Sequence, residues 1–300
     1  MRSKTTFDRW TSSMKSTWTY QVYKKYNDEL NQMLWSNVAA SKSIYKQLGT
    51  NGAKWTNQAS AHLEFTVPKG EESFTDLQHW SDVYNQFNNW TNLNALLAIS
   101  SNMETFLSTI VSLALESDPG ILFNSPKSID GVVLLKNGAT KSKIHEDIII
   151  GITKGDWNSR VSTYRRVFIT VPKVLEDNIG ELEKIRNLRN KVGHAFGRDI
   201  EGSRNHEVKS INAMEKLTDY KLKKYQNLIL SIVSQIDKHL LTNHIGEYQA
   251  IAYYHRIYPG LPQNTHQTER AKTLKKRLGQ AGDLSAKEMC KGLVKYYEEL

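Results

Sequence analysis

One cysteine, Cys290, is all the thiol chemistry that 300 residues provide. That excludes an internal disulfide framework and any zinc site built on paired cysteines, and it suits a reducing, cytoplasmic setting. No long apolar run is present either. The start, MRSKTTFDRWTSSMKSTW, lacks the apolar core of a signal peptide, and the most apolar stretch, 93–115, is interrupted by Asn94, Ser100, Ser101, Asn102 and Glu104. Neither an export signal nor a membrane span is expected. The common catalytic signatures are missing as well: Gly49-Thr50-Asn51-Gly52-Ala53-Lys54 lacks Walker A spacing, and no HExxH, GxSxG or strand-preceded GxGxxG occurs. ATP hydrolysis, zinc-protease and serine-hydrolase chemistry therefore have no support. His239, His244 and His255, with Asp237 and Glu247 nearby, do not have metal-ligand spacing, so neither a metal nor another cofactor is expected.

What the chain does have is positive charge and helical periodicity. Forty Lys and Arg against thirty-one Asp and Glu give a formal charge of +9, a field that draws anionic partners such as RNA, DNA or acidic proteins. Trp18, Val22, Tyr26, Leu30, Met33 and Leu34 repeat at three and four residues, which predicts one buried helical stripe. After a polar stretch from 48 to 72, with a short strand-like hint at Leu63 to Val67, a second and longer pattern runs from Trp80 through Phe87, Leu93, Met103 and Ile110 to Leu113. It stops at Asp118-Pro119-Gly120, a strong breaker. Periodicity does not separate a strand from a helix turn at Ile148-Ile149-Ile150.

Further helices are expected over 158–170, over a motif-bearing segment that begins at 173 or restarts at 179 behind Asn178 and Glu181, and over 218–241. Three shorter ones follow near 245–257, 266–278 and 284–299, divided by Pro259-Gly260-Leu261-Pro262 and by 279–282. Long helices with one apolar stripe each must bury those stripes together, so the predicted class is all-α, a helical bundle over 76–242 with an N-terminal extension, 1–75, and a C-terminal appendage, 243–300.

Within the motif-bearing helix, Leu175, Ile179, Leu182, Ile185 and Val192 mark the core-facing side, and Arg189 falls on that same stripe. A guanidinium there needs a carboxylate, an anion or an opening to solvent, because burying it unpaired is costly. Glu104 is one candidate partner for Arg189 or Arg186. Gly193 stands where a helix often terminates, and a turn there would bring His194 back beside Arg189. A satisfied arginine and a capping histidine account for the same spacing.

Arg189-Asn190-Lys191-Val192-Gly193-His194, preceded by LEKIRNL, resembles the R-N-x-x-x-H signature of the HEPN superfamily, and FNNWTNLNALLAISSNMETFLSTIVSLALESDPG is similar to the early helix of that bundle. The resemblance covers roughly 80–240. It implies a metal-independent endoribonuclease, often a toxin or antiviral effector, whose site forms where two copies bring their motif helices together.

Such chemistry needs a base for the ribose 2′-OH, an acid for the leaving 5′-oxygen and positive charge for the phosphorane. Imidazole serves both proton steps, so His194 is the acid–base candidate. Arg189 supplies charge, and Asn190 holds the arginine or the scissile phosphate. The expected products carry 2′,3′-cyclic phosphate and 5′-hydroxyl ends. Arg186, Lys191 and Arg198 extend the cleft for flanking phosphates. In a homodimer the stripe around Arg189 would be apolar because it packs on its twin. An antitoxin or a defence-system protein is the further partner this implies. One HEPN subgroup carries a tyrosine two residues beyond the histidine, which a partner enzyme modifies; this chain has Phe196 there. The rival readings are a non-catalytic HEPN-type module that binds RNA or protein, and a regulatory subunit that uses its basic surface, including Arg270, Lys272, Lys275, Lys276 and Arg277.

Overall fold

A computed structural model of the protein describes residues 7–66, 69–138, 143–195, 198, 212–262, 264–283 and 286–300. Among the described residues the fold is all-α, with eleven α-helices and no strand. In chain order these are α1 (Trp18–Thr50), α2 (Leu77–Ser117), α3 (Gly131–Lys136), α4 (Lys143–Thr153), α5 (Trp157–Phe168), α6 (Lys173–Glu176) and α7 (Ile179–Ala195). Then come α8 (Asp219–Leu240), α9 (Tyr248–Ile257), α10 (Gln267–Gln280) and α11 (Lys287–Glu299). The expected strand at Leu63 to Val67 does not form over 63–66, and Val67 lies outside the described residues. Ile148-Ile149-Ile150 is a turn of α4, with Ile148 buried and Ile150 exposed, as an amphipathic helix requires.

Local chemistry fixes several helix ends. Asp156 starts α5 by accepting a hydrogen bond from Ser159 N at 2.9 Å, and Asp130 starts α3 by accepting from Val132 N at 3.0 Å. The segment after Pro172 makes one short helical turn, α6, and restarts at Ile179 as α7.

The helices fall into two compact units, and α1, α2, α7 and α8 contribute residues to both. The first unit comprises 1–23, 103–182 and 230–300. Its core holds Phe106, Leu107, Ile110 and Val111 of α2 and Ile232, Val233, Ile236 and Leu240 of α8, all essentially inaccessible. Around them α4 packs on α5, α9 on α3 and α11, and α10 on α11. Arg9, also buried, ties this unit together: its guanidinium donates to Asp130 Oδ1 at 3.0 Å, Ser117 O at 2.5 Å and Ile245 O at 3.1 Å, and its plane lies over Trp10.

The second unit comprises 24–102 and 183–229. There α1 and α2 run antiparallel, as the hydrogen-bonded pairs Asn37–Asn88, Ser41–Tyr84 and Tyr45–Ser81 show by stepping forward on one helix and back on the other. A small cluster of Leu48, Ala59, Leu77 and Trp80 closes that end of the pair. The start of α8 lies along α1, with Gln226 Nε2 donating to Asn27 Oδ1 at 3.0 Å.

The expected stripe on α1 is only partly buried. Val22, Tyr26 and Met33 are 47%, 56% and 59% exposed, while the inward side carries Tyr23, Asn27, Asn37, Ser41 and Leu48. This helix packs through hydrogen-bonding side chains, a pattern that apolar periodicity does not detect. By length and composition α2 is long and apolar enough to cross a membrane. Core helices pass the same test, and Leu93, Leu96, Ile99 and Met103 in that stretch are buried against protein.

Candidate functional site

The motif helix α7 is built much as its spacing predicts. Leu182, Ile185 and Val192 are buried, and Arg189, between them on the same stripe, is half-buried. Arg189 Nη1 donates to Asn190 Oδ1 at 3.2 Å, so the two motif residues are joined directly. The apolar part of the stripe is covered within the chain itself, which corrects the expectation that it packs on a twin. Among its described residues α7 leaves Gly180, Lys184, Asn187, Lys191 and Gly193 to solvent, the first four on one helical face at i, i+4, i+7 and i+11.

Gly193 does not end the helix. The α-helical backbone continues through His194 to Ala195, so no turn brings residue 194 back towards residue 189. Five residues of helix rotate the chain by about 140° and raise it by about 7.5 Å. Position 194 therefore falls on the face of Asn187 and Lys191, seven and three residues before it. The side chain of His194 and the whole of Phe196 lie outside the described residues.

The three candidate phosphate contacts all have partners inside the chain. Arg186 pairs with Glu183, its Nε 2.9 Å from Oε1; Lys191 Nζ lies 2.5 Å from Glu215 Oε1; and Arg198 donates to the carbonyl of Asn212 at 2.5 Å. Glu104 accepts from Arg160 at 3.4 Å and sits 3.7 Å from Lys154.

Asparagines of α2 supply a feature that the motif does not announce. Asn89 Nδ2 donates to Glu215 O at 2.9 Å and its Oδ1 accepts from Leu217 N at 2.8 Å. Asn92 Nδ2 reaches Leu217 O at 3.0 Å and Asp219 Oδ1 at 2.7 Å. Together with the Lys191–Glu215 pair, these bonds fasten the segment entering α8 to both α2 and the end of the motif helix. The run NNWTNLN, in which Asn89 and Asn92 stand three residues apart on one helix face, was the available signal.

The remaining candidates serve structure. His239 bridges Tyr164 and Thr170 at 2.8 Å each, and burial first, then His244, hold its imidazole down to about 4. His244 Nδ1 lies 2.9 Å from Asp118 Oδ2, and His255 lies 2.7 Å from the Tyr297 hydroxyl. Among the described residues no group of three or more His, Cys, Asp or Glu could hold a metal ion. Burial pushes the Cys290 thiol up to about 11, far from a reactive thiolate. In the basic run, Arg270 is engaged with Glu298 at 2.8 Å and Lys272 with Glu269 at 2.6 Å. Comparison of the chain with protein-family models, with curated proteins and with solved structures found no match.

Proposed function

We propose that the chain is a HEPN-type endoribonuclease that cuts RNA without a metal, with Arg189, Asn190 and His194 at its centre. One observation supports this most: the R-N-x-x-x-H motif is carried intact on a single helix, and its arginine, half-open on an otherwise buried stripe, is held by the motif's own asparagine. Arg189 offers paired donors to phosphate oxygens and stabilises the charge of the phosphorane. His194 takes the 2′-hydroxyl proton and returns one to the 5′-oxygen, leaving 2′,3′-cyclic phosphate and 5′-hydroxyl ends.

Because α7 is unbroken, one copy alone directs positions 189 and 194 into different sectors of the helix. In the proposed homodimer, Arg189 of one copy and His194 of the other act on the same scissile linkage. A role as a cytoplasmic toxin or antiviral effector, restrained by an antitoxin or a defence-system partner, belongs to the same reading.

The second reading is a HEPN-type module that binds without cutting. Its support is that Arg186, Lys191 and Arg198 are each engaged within the chain, which leaves less free charge beside the motif. Labelled RNA incubated with the purified chain in EDTA separates the two. The nuclease cuts in EDTA, spares a strand whose scissile 2′-hydroxyl is removed, and loses cleavage in His194→Ala and in Arg189→Lys. Cleavage that EDTA abolishes, or that survives both substitutions, sinks it; binding without cleavage in every protein supports the module.

A further inference from the structure

The second unit contains a cleft of about 590 Å³ lined by α1, α2 and the first turns of α8. Its walls mix four kinds of chemistry, one of them the carboxylate of Asp219, which accepts from Asn92 Nδ2 at 2.7 Å. Leu34, Val38 and Leu222 are apolar, Asn37, Asn85, Asn88 and Asn92 are neutral carboxamides, and Lys42 and Lys223 are cationic. Trp35 and Tyr220 also line it, 63% and 82% exposed.

Each component narrows the ligand. Carboxamides carry donors and acceptors without charge, so they suit an uncharged hydrogen-bonding heterocycle better than a carboxylate or an ammonium group. Asn37 Nδ2 donates to Asn88 Oδ1 at 3.1 Å, which leaves the Asn37 carbonyl and the Asn88 amide without a partner among the described residues. One acceptor and one donor thus stand side by side, and turning both amides round preserves that pairing. Nucleobase edges present the complementary pattern. Exposed indole and phenol rings provide stacking faces for a flat ring. Lys223 Nζ donates to Asn31 Oδ1 at 3.5 Å and to Gln226 Oε1 at 3.4 Å, whereas Lys42 has no partner among the described residues, so Lys42 is the charge available to an anion. An apolar helix or an acyl chain would leave the carboxamides desolvated and unpaired, which disfavours both.

We propose that this cleft binds a nucleobase with its attached phosphate, as one residue of single-stranded RNA or as a free nucleotide. The base stacks on Trp35, its edge meets the Asn37–Asn88 pair, and the phosphate meets Lys42. The assignment rests on RNA being the substrate of the proposed nuclease, and it adds where a base outside the scissile linkage is gripped. The Lys191–Glu215 pair and the Asn92–Asp219 bond join the segment entering α8 to the motif helix and to the cleft wall, so a strand seated here adjoins the element that carries the motif.

The test uses the full chain carrying His194→Ala, in EDTA, with a fluorescently labelled single-stranded RNA hexamer read by anisotropy. Adding Trp35→Ala is expected to weaken binding about tenfold, in line with the loss of one stacked base. Trp35→Tyr keeps a stacking ring and binds within about threefold of the parent. Trp55→Ala, at a half-exposed indole that does not line the cleft, leaves binding unchanged. Lys42→Ala lowers the slope of log affinity against log salt by about 0.7, one single-strand phosphate. Competition by unlabelled mononucleotides identifies a free nucleotide as sufficient; competition only by an oligonucleotide identifies a residue of a strand. Absence of RNA binding, or binding that Trp35→Ala leaves intact, overturns the assignment. A chain that cuts RNA but does not need Trp35 loses the cleft and keeps the nuclease. One that needs Trp35 and never cuts, even with His194 restored, keeps the cleft and loses the nuclease.

Discussion

Replacing Arg9 with methionine tests the reasoning about the first unit, because this one side chain joins parts of the chain far apart in sequence. Its guanidinium serves Asp130 Oδ1, Ser117 O, Ser117 Oγ and Ile245 O, at 3.0, 2.5, 3.0 and 3.1 Å. Some of these groups keep another partner after the substitution. Ile245 O still accepts from Ser117 Oγ at 3.1 Å, and Asp130 keeps the Val132 amide and the Tyr296 hydroxyl. Ser117 O loses its donor in a fully buried setting, at about 1–3 kcal/mol. Asp130 loses its countercharge, and removing one partner of a buried pair costs about 3–5 kcal/mol when nothing replaces it. Methionine recovers part of the apolar contact with Trp10, so the expected net loss is about 3–4 kcal/mol. Urea unfolding followed by circular dichroism reads it as a lowered midpoint. Arg9→Lys keeps the charge but not the fork, and is expected to lose roughly half as much. Asp130→Asn added to Arg9→Met recovers more than about 1 kcal/mol by removing the stranded carboxylate. A loss below about 1 kcal/mol for Arg9→Met, or strict additivity of the two changes, refutes the clasp.

Gly246 has φ +54°, and a Cβ there would sit 2.3 Å from the carbonyl oxygen of Arg9, so Gly246→Ala is expected to destabilise by more than about 3 kcal/mol in the same urea assay. Acid stability reports two buried groups of opposite sign. His239, lowered from 6.5 to about 4 by burial and then by His244, is protonated first in the unfolded chain, so its contribution is complete above pH 6.5 and falls away towards pH 4. Burial raises Asp237 from 3.8 to about 6 against the hydrogen bonds from Thr17, so its contribution is complete below pH 3.8 and is lost as pH rises to 6. Between pH 4 and 6 the slopes oppose. Asp237→Asn should tilt the stability profile upwards with pH, and His239→Gln should tilt it downwards, each by about 1 kcal/mol per pH unit at most. Parallel profiles for the two variants contradict this. Gly193 lies within α7 with open space where a methyl would project, nothing being closer than 4 Å, so Gly193→Ala is expected to stabilise the protein by about 0.5–1 kcal/mol in thermal unfolding.

Helix type and extent were legible where the stripe is apolar. Leu222, Tyr225, Ile229, Ile232, Val233, Ile236 and Leu240 repeat at helical spacing and are all buried in α8, and the breaker at Asp118-Pro119-Gly120 marks the true end of α2. Periodicity misleads on α1 because its inward face is half polar. Asn27, Asn37 and Ser41 are hydrogen-bonded to Gln226, Asn88 and Tyr84, which offsets their burial, while Val22, Tyr26 and Met33 lie outside. A period-3.6 search weights apolar residues alone and so selects the wrong side of such a helix. The division into two compact units was equally hidden, since α1, α2, α7 and α8 contribute to both and no linker composition marks the change.

For the candidate site, the motif could be read because it is contiguous, but its geometry could not. Glycine is the common helix terminator when the next turn has something to leave for; here α7 continues through Gly193, at a cost of about 1 kcal/mol relative to alanine, which its neighbours absorb. The consequence reaches the chemistry. In a broken helix one copy could bring guanidinium and imidazole together, whereas an unbroken one separates their positions by about 140°. For the proposed nuclease, cleavage would then be a property of an assembly, and dilution of the proposed dimer should reduce cleavage more steeply than in proportion to concentration. The Asn89 and Asn92 contacts belong to the same lesson: carboxamides on a helix look like surface in a sequence, and only the partner segment at 215–219 reveals them as a clamp on the approach to α8.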